Sequence, residues 1–508
     1  MWTHFASKFF LLMSEANPSD EKVLEELWGH WKTAERALKA VELATGQLCT
    51  PAINELRYAA NRTKEPPLTE AKAKPEKGTT IMHNELQRDG HPNLIEHPGD
   101  AGMSRRGFLQ GVGGLGTMLG MGGIAGHALG AEAPRDADGK VIPGFGKGQD
   151  DPNASKGWRK VSDRKIKVGI AGYGLCKFGA SFFYQNHPNV EVVAATDLDP
   201  GRCAALAKAV GAKKTYPSCE EMIKDKSIEA VYIATDAPSH ARLAIMALEH
   251  DKHAVSAVPA VFGFEAEAEA GKLFNAVKKS GMKYMMNETS AFHEECYAMR
   301  MQYQAGTLGK VIYSEGEYYH DFGARGLAGF NPRNGKIDHN GWRRALPPMW
   351  YPTHATAYYV SITGGRFTEV SALGTTSLYA EYKDGKNQHK NPFATEIALL
   401  RTSEGGISRM AGSWDMKNAH GEKGRVYGQK PRRGRVDGSR PPLPPGVGGG
   451  GHGGSHGQLT NNFIESILLD KNPIVHVSDA LNMTLAGVIA HKSALKDGEW
   501  MKVPQYEL

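Results

Sequence analysis

The chain has 508 residues, of which 40% are hydrophobic and 23% charged, and its formal net charge at pH 7 is +6. This length accommodates two or three domains, and the composition is typical of a globular protein. The basic residues form no stripe with interleaved aromatic residues, which argues against a nucleic-acid-binding protein. The five cysteines form no CxxC pair and no metal-ligand spacing, so we expect free thiols and no metal site.

The first 133 residues are predicted to form two segments outside the core. Residues 1–102 are an extension, helical in residues 21–61 and then polar, proline-containing and disordered. Residues 103–133 contain Arg105 and Arg106, a glycine-rich apolar run and the small-residue sequence Ala131-Glu-Ala133. These three parts, in this order, resemble a Tat-type export signal, and the run is too rich in glycine for a membrane-spanning helix.

The position of this segment leaves two locations open. If Met103 is the true start, the signal is N-terminal and we expect a periplasmic or otherwise exported protein. If residues 1–102 are genuine and block export, the protein stays in the cytoplasm. Residues 134–164, which are charged and show little periodicity, are interpreted as a linker arm.

From residue 165 the chain alternates between predicted strands and helices. Strands at 166–171 and 190–196 flank the turn Gly172-Tyr-Gly174 and a helix that is expected directly after it, and the second strand ends at Asp197. The glycines let the backbone approach a pyrophosphate, and Asp197 is placed to bind the adenosine ribose, which favours NAD over NADP. The fingerprint is imperfect, because Lys177 stands where a third glycine is usual.

Residues 165–288 are therefore predicted to form an NAD-binding Rossmann domain. The remaining strands are expected at 214–216, 228–234, 253–256 and 283–286, with helices at 200–211, 218–224, 241–250 and 265–280. Ligands bind where the strands of such a sheet end. The predicted cofactor contacts are Gly172, Tyr173, Gly174, Leu175, Asp197, Thr235, His240, Ala257, Val258, Asn287 and Tyr351.

The second half has a different pattern. Residues 289–508 predict an α+β domain with a mostly antiparallel open sheet, so the fold class is α/β followed by α+β. Its strands are expected at 313–319, 368–373, 396–401 and 406–411, and its helices at 293–305, 461–469 and 477–495. The Gly- and Pro-rich residues 429–457 predict an exposed loop.

Four motifs of the second half carry a family resemblance. This order of domains, with Val258-Pro259 after the fifth strand, resembles the Gfo/Idh/MocA oxidoreductases over roughly residues 165–505. In its motifs the chain is most similar to glycoside hydrolase family 109, the NAD-dependent N-acetylgalactosaminidases. The motifs are Gly316-Glu-Tyr318-Tyr-His320-Asp321, Gly341-Trp-Arg343, Tyr351-Pro-Thr-His354 and Gly451-His452-Gly-Gly454.

The chain departs from these families at two places. Most Gfo/Idh/MocA dehydrogenases have Glu-Lys-Pro after the fifth strand, and family 109 has Glu-Val-Pro, whereas this chain has Ala257-Val258-Pro259. The usual lysine and the usual glutamate are therefore both absent. Ser455-His456 stands where family 109 typically has Met-Asp. The resemblance thus implies a related but altered substrate pocket.

The resemblance and the side-chain chemistry together predict the catalytic groups. His354 is the expected general base, because a neutral imidazole accepts a proton near pH 7. Tyr318 and Tyr351 are expected as a second acid or base or as walls of the pocket, with His320 and Asp321 close enough to orient Tyr318. The predicted substrate-binding residues are Arg343, Tyr351, Pro352, Thr353, His354 and His452.

The predicted function is that of an NAD-dependent oxidoreductase acting on a sugar or sugar derivative with a tightly held cofactor. One alternative is glycoside cleavage by oxidation at C3, elimination, hydration and re-reduction. Another is a nucleotide-binding Rossmann protein without catalysis. The expected partner is a small carbohydrate, with no nucleic acid and no membrane span, and the resemblance implies a homo-oligomer, a dimer or larger.

Overall fold

The computed structural model describes residues 151, 153–331, 336–417, 419–431 and 436–508. The predicted extension at residues 1–102 and the Tat-type segment at residues 103–133 lie outside these ranges, as does most of the linker arm at 134–164. Within the described ranges, none of the helices combines the length and the apolar character that a membrane crossing requires.

The first sheet is parallel throughout, as the Rossmann prediction requires. Its strands lie in the order β3-β2-β1-β4-β5-β6. The first three strands are added towards one edge and the last three towards the other, so the strand order reverses between β1 and β4. Ligands bind at such a switch point in doubly wound sheets. The strands are β1 Ile166–Ala171, β2 Val190–Thr196, β3 Lys214–Tyr216, β4 Ala230–Ile233, β5 His253–Ser256 and β6 Tyr284–Met286.

Apart from the first, the helices that alternate with these strands begin and end where the sequence predicts, within a few residues. They are α1 Phe178–Ser181, α2 Pro200–Val210, α3 Cys219–Ile223, α4 His240–Glu249 and α5 Ala266–Ser280. The side chain of Asp199 caps α2 by accepting from the Arg202 amide, and Ser218 caps α3 by accepting from the Glu221 amide. Gly211 ends α2 in a left-handed conformation.

The full-length helix expected directly after the glycine turn is wrong. The chain forms only one helical turn, α1, because Lys177 before it and Phe183 after it have positive φ angles of 50° and 62°. Non-glycine residues with such angles interrupt a right-handed helix. The phosphate site predicted here therefore depends on the loop backbone and not on a long helix.

The second sheet is mixed and contains six strands. Its order is β13-β7-β12-β11-β10-β14, and only β7 and β12 run parallel among its neighbours. The mostly antiparallel sheet is thus confirmed. The strands of this half, including the small β8–β9 pair, are β7 Val311–Tyr319, β8 Phe330–Asn331, β9 Lys336–Ile337, β10 Phe367–Thr376, β11 Phe393–Thr402, β12 Ile407–Ser413, β13 Gly421–Gly428 and β14 Met501–Lys502.

One face of this sheet is covered by buried helices. The helices of this half are α6 Glu294–Gln304, α7 Gly323–Leu327, α8 Thr353–Thr363, α9 Gly451–Gly454, α10 His456–Leu468 and α11 Val477–Ala494. Helix α8 crosses β7 at Gly316, where a Cβ would lie 2.1 Å from the Ala355 carbonyl oxygen. Glycine at 316 therefore lets α8, which carries His354, lie directly on the sheet.

The exposed loop expected at residues 429–457 is wrong for much of its described length. Leu443 and His452 are buried, and the Leu443 amide donates to the Ala154 carbonyl at 2.7 Å. Arg440 donates to the carbonyls of Phe292 and Gly453. The glycine- and proline-rich composition correctly indicated irregular backbone. Such backbone can still be buried when its amides and carbonyls form hydrogen bonds with neighbouring side chains and backbone groups.

Candidate active site

A cavity of about 440 Å³ lies where the parallel strands end and the helix α8 begins. Its walls come from the loops after β1, β2, β4, β5 and β6, from β7 and from residues 341–354. Nine of the predicted cofactor residues line it: Gly172, Gly174, Leu175, Asp197, Thr235, Ala257, Val258, Asn287 and Tyr351. The two predicted regions, cofactor and substrate, therefore share one space.

Two of the predicted cofactor contacts do not line this cavity. The Tyr173 amide donates to Asp197 Oδ2 at 2.8 Å, which ties the glycine turn to the end of β2. His240 is buried, and its Nδ1 donates to the Pro259 carbonyl at 2.9 Å. Through Nδ1, His240 links α4 to the loop after β5, and its cofactor contact stays a prediction.

The two glycines of the turn have different structural roles. Gly172 has a φ of 103°, and a Cβ there would lie 2.2 Å from the Ala234 carbonyl oxygen, so only glycine fits between β1 and β4. Gly174 lines the cavity, and no atom lies within 4 Å of the position that a Cβ would take there. The space at Gly174 is the kind that a pyrophosphate needs for close approach to the backbone.

Asp197 is held as a charged carboxylate at the edge of the cavity. It accepts from the amides of Tyr173 and Asp199 and from the Arg202 guanidinium, whose Nε lies at 2.9 Å. Burial opposes ionisation, but these hydrogen bonds outweigh it and lower the pKa of Asp197. Arg202 itself lines the cavity, and the sequence analysis missed it.

Asn287 provides a test of whether a dinucleotide fits. It is 2% exposed at the end of β6, and neither amide atom has a hydrogen-bond partner of good geometry among the described residues. Buried amides are normally paired, and Asn287 lines the cavity. The hydroxyls of Tyr184 and Tyr232 lie beside the Asn287 amide at poor hydrogen-bond geometry. The open Gly174, the charged Asp197 and the Asn287 amide together fit the phosphates and hydroxyls of a dinucleotide.

His354, near the N-terminus of α8, lies between two buried carboxylates. Its Nδ1 donates to Glu288 Oε1 at 2.8 Å and lies 3.6 Å from Glu422 Oε2. Burial disfavours the charged imidazole, but the two carboxylates outweigh it and raise the pKa of His354 to about 9. This environment favours the protonated imidazole at pH 7, whereas the sequence analysis expected a neutral one.

Glu288 and Glu422 are the main residues that the sequence analysis missed. Glu288 is fully buried and also accepts from the Ser290 amide at 2.9 Å. It directly follows Asn287 at a strand end, and that position was a usable signal. Glu422 lies on β13, far along the chain, and accepts from Ser290 Oγ at 2.6 Å. Nothing in the sequence around Glu422 indicates this contact.

Glu288, His354 and Glu422 each bring one nitrogen or oxygen atom within 4.8 Å of the others. Such a triad has the composition of a metal site. Here the His354 proton already bridges to Glu288, and Ser290 Oγ and its amide bind both carboxylates. We therefore interpret the triad as a hydrogen-bonded acid–base cluster.

Two tyrosines and two histidines surround His354. The ring of Tyr318 meets His354 edge-on with centroids 4.5 Å apart, and the Tyr318 hydroxyl lies 3.4 Å from His320 Nδ1. Burial raises the pKa of Tyr318 and Tyr351, so both hydroxyls remain protonated donors. Burial also lowers the pKa of His320 and of His452 to about 3, so both are neutral at pH 7.

The other predicted substrate residues divide into two groups. Arg343 lines the cavity with its guanidinium over the Trp342 ring, 4.1 Å from the centroid. Pro352 and Thr353 are buried and do not line it, so their predicted substrate contacts are not supported. Asp321 forms an ion pair with Lys417 and does not orient Tyr318 as expected.

The resemblance inferred from the motifs is confirmed by comparison with known proteins. Residues 166–288 match the Gfo/Idh/MocA model, described as an oxidoreductase family with an NAD-binding Rossmann fold. The chain is 30% identical over 188 residues to glycosyl hydrolase family 109 protein 1 of Bacteroides fragilis, covering 34% of this chain and 39% of that protein. It is 28% identical over 263 residues to a glycosyl hydrolase family 109 protein of Porphyromonas gingivalis, covering 47% and 53%.

The aligned part thus spans two fifths to about half the length of these relatives. Among solved structures, levoglucosan dehydrogenase with NADH and levoglucosan aligns with a TM-score of 0.55 at 17% identity, over 67% of this chain and 100% of that one. Scyllo-inositol dehydrogenase from Lactobacillus casei aligns with a TM-score of 0.52 at 17% identity, over 67% and 99%. At such identity these structures support the fold, and the predicted α/β fold class is confirmed.

Proposed function

We propose that the protein is an NAD-dependent oxidoreductase that removes a hydride from a sugar or sugar derivative and holds its cofactor tightly. The observation that carries this proposal is the shared cavity. It joins the Gly172–Gly174 turn and Asp197, which suit a dinucleotide, to His354, which suits a hydroxyl proton. The structural neighbours, which include a levoglucosan dehydrogenase and an inositol dehydrogenase, favour a polyhydroxylated substrate.

The preference for NAD over NADP follows from the charge of Asp197. An ionised carboxylate repels the additional phosphate of NADP and accepts hydrogen bonds from the ribose hydroxyls of NAD. Arg202 balances part of this charge, but its guanidinium is already bound to Asp197. We therefore expect that NAD is bound more tightly.

The chemistry requires the alcohol to lose a hydride and a proton together. A bound nicotinamide supplies the hydride acceptor. Because Nδ1 of His354 is held by Glu288, Nε2 is the nitrogen left to accept the hydroxyl proton. Tyr318 and Tyr351 offer protonated hydroxyls to neighbouring sugar oxygens, and the Trp342–Arg343 pair offers an aromatic face and a fork of donors.

Identification of the bound dinucleotide and a substrate screen test this proposal. Purified protein is denatured, and the supernatant is analysed by mass spectrometry for NAD and NADP. The native protein is then mixed with levoglucosan, inositols and common free sugars while absorbance at 340 nm is followed. We expect NAD in the supernatant and reduction by at least one polyol. Protein that releases and binds no dinucleotide contradicts the proposal.

A second candidate is redox-assisted glycoside cleavage, and the family 109 names of the curated relatives favour it. Oxidation at C3 acidifies the C2 proton, elimination expels the aglycone, water adds, and the hydride returns. Such an enzyme releases p-nitrophenol from both α- and β-linked p-nitrophenyl glycosides without accumulating NADH. Accumulation of NADH with a free sugar, and no p-nitrophenol, supports the oxidoreductase.

The oligomeric proposal rests on the outer face of the second sheet. Leu373, Ile397, Leu399 and Ile407 on neighbouring strands are each 43–60% exposed. Exposed aliphatic side chains that adjoin on one face of a sheet are typical of an interaction surface. We propose that two copies pair through this face.

The export proposal rests on the twin-arginine segment at residues 103–133, which lies outside the described residues. An exported enzyme of this kind must bind its dinucleotide before export and retain it afterwards. Mass spectrometry of the mature N-terminus tests the proposal. A mature chain that begins near Glu132 or Pro134 supports it, whereas an intact Met1 in the cytosolic fraction contradicts it.

A further inference from the structure

Arg343 brings a positive charge into the cavity that no carboxylate neutralises. Arg202 and Arg242, which also line the cavity, form ion pairs with Asp197 and Glu220, each at 2.7 Å. Among the described residues, the half-buried guanidinium of Arg343 has neither an ion-pair partner nor a hydrogen-bond acceptor. Its N–H donors are therefore available to a ligand in the cavity.

The backbone that carries Arg343 is fixed in place. Residues 341–345, here called the arginine loop, are fastened by three side chains that precede β11. Each donates to a carbonyl of the loop: Gln388 to Gly341 at 2.6 Å, His389 to Trp342 at 2.8 Å and Asn391 to Ala345 at 3.1 Å. A loop that is ordered before binding loses little conformational entropy when a ligand arrives.

The ring of Trp342 supports the Arg343 guanidinium on one side. The guanidinium lies 4.1 Å from the ring centroid, which is a close cation–π contact. The Trp342 ring is itself stacked with Tyr351 at 6.2 Å and meets Phe262 edge-on at 5.6 Å. One flat face of the guanidinium is therefore covered, and the fork of N–H groups at its edge is left to bind an acceptor.

Arg343 and His354 belong to the same part of the cavity. The ring of Tyr351, with which Trp342 is stacked, lies 5.6 Å from the ring of His354. Burial raises the pKa of Tyr351, and the charge of Arg343 is the largest effect that opposes this rise. Burial lowers the pKa of His320 to about 3, and Arg343 lowers it further. The charge of Arg343 thus acts on the groups that surround the proposed base.

Positive charge is in excess between the arginine loop and His354. Arg343 and Arg344 line this part of the cavity, and the environment of His354 favours the protonated imidazole. The acid that lines it, Asp338, is exposed to solvent. At Ala257, where family 109 has a glutamate, the cavity has a methyl group and not a carboxylate. An anionic group on the substrate complements this distribution of charge.

We propose that the substrate is an acidic sugar whose carboxylate is bound by the guanidinium of Arg343. The inference rests on the proposed oxidation and narrows its substrate class. The two oxygens of a carboxylate match the fork of N–H donors, while a hydroxyl group of the same sugar faces His354. The carboxylate is not changed in the reaction, so Arg343 determines specificity and takes no part in hydride transfer.

The kinetic test compares sugars that differ at one carbon. NAD-loaded protein is mixed with D-glucuronate, D-glucuronamide, D-glucose or D-glucose 6-phosphate, and with the corresponding galactose series, and single turnovers are followed at 340 nm. The amide has the shape of the uronate without its charge. We expect a uronate to half-saturate the rate at a concentration roughly tenfold or more below that of its amide. Equal values for uronate and amide, or a preference for the 6-phosphate, overturn the proposal.

Substitution of Arg343 tests which residue provides this preference. In Arg343→Gln we expect the half-saturating concentration of the uronate to rise roughly tenfold or more, that of the amide to stay within about twofold, and the NAD content to stay unchanged. Lys278→Gln is the control, because it removes a positive charge that lies over Phe274 outside the cavity. Equal losses for uronate and amide in Arg343→Gln, or a loss of bound NAD, contradict the assigned role.

A binding measurement separates this inference from the proposed function. NADH-loaded protein, which accepts no further hydride, is titrated with D-glucuronate and with D-glucuronamide in a calorimeter. If no sugar reduces NAD but the uronate binds more tightly than the amide in the wild type and not in Arg343→Gln, the proposed function fails and the carboxylate site stands. If a neutral sugar reduces NAD and the uronate binds no more tightly than the amide, the proposed function stands and the carboxylate site is refuted.

Discussion

At the scale of single residues, His354 takes its properties from the two carboxylates that hold it. Glu288 fixes the orientation of the ring through Nδ1, and Glu422 adds a second negative charge behind it. This arrangement makes a stronger base than an isolated histidine, and it also keeps the base protonated at neutral pH. The rate of the proposed oxidation therefore depends on the fraction of His354 that is deprotonated.

The pH dependence follows from the sign of this shift. The base form exists above the pKa, so we expect the rate of hydride transfer to rise as the pH approaches about 9. Glu288→Gln removes the nearest charge and should move this rise to lower pH by roughly one unit or more. Single-turnover rates at 340 nm between about pH 6 and 10 measure it. A rate that falls over this range contradicts the assignment of His354 as the base.

The same shift predicts a change in stability. A folded-state pKa of about 9, above the ordinary value of 6.5, means that the charged His354 stabilises the fold fully below pH 6.5. This contribution is lost as the pH rises through about 9. His354→Gln should flatten the decline in melting temperature over that range, as measured by calorimetry of cofactor-free protein. If the melting temperature declines with pH at the same slope in wild type and variant, the stabilisation by charged His354 is refuted.

Site prediction from the sequence succeeded where chemistry followed a recognisable turn or motif. Gly172, Asp197, Asn287 and His354 could be chosen because each lies at a strand end or in a family motif, and all four line one cavity. Glu422 could not be chosen, because its contact with Thr289 joins residues 133 positions apart. Local patterns carry no information about which strand of a second sheet comes to lie beside a helix.

At the scale of elements, the strands and helices of the first sheet were predicted best, whereas β13, which carries Glu422, was not predicted. The predicted strands at 214–216 and 253–256 coincide with β3 and β5. β5 is a short, mostly buried run between turns, which is typical of a strand in a parallel sheet. The helix after the glycine turn failed because Lys177 and Phe183 adopt left-handed angles that residue type does not reveal. The prediction of an exposed loop failed over much of residues 443–457, because a glycine-rich composition indicates backbone flexibility and not solvent exposure.

The glycine turn offers a matched pair of substitutions. Gly172→Ala places a Cβ 2.2 Å from the Ala234 carbonyl at a positive φ, so we expect a fall in melting temperature of several degrees. Gly174→Ala has free space and should melt like wild type, while its methyl group weakens dinucleotide binding. Calorimetry and dinucleotide extraction give the two readouts. Equal stability of the two variants contradicts the assigned roles.

A buried hydrogen bond between a carboxylate and a histidine positions the segment that leads into α8. Glu396 on β11 accepts from His491 Nδ1 at 2.7 Å and from the Met349 amide at 2.9 Å, and both side chains of the pair are almost fully buried. We expect Glu396→Ala to lower the free energy of unfolding by about 2 kcal/mol or more, because His491 Nδ1 and the Met349 amide lose their acceptor in the core. Glu369→Ala breaks the exposed pair with Arg401 and should cost less than about 1 kcal/mol. Denaturant titration compares them, and similar losses would refute the role of Glu396.

At the scale of the whole molecule, the second sheet has one face against buried helices and one apolar face open. Leu399 lies near the middle of the open face, on β11, between β10 and β12. Leu399→Glu should convert the proposed dimer to a monomer with an unchanged melting temperature for each subunit, as light scattering after gel filtration measures. A wild-type protein that is monomeric at all accessible concentrations contradicts the proposed pairing.

The most direct test of the whole account is the reduction of bound NAD in a single turnover by a sugar from the panel. Wild-type protein and His354→Gln are loaded with NAD and compared at 340 nm with the same sugar. We predict a 340 nm rise in the wild type, a loss of roughly 100-fold or more in His354→Gln, and equal NAD content in both. Reduction at the same rate in both proteins, or no reduction with any sugar, contradicts the claim that this cavity brings His354 and the dinucleotide together for hydride transfer.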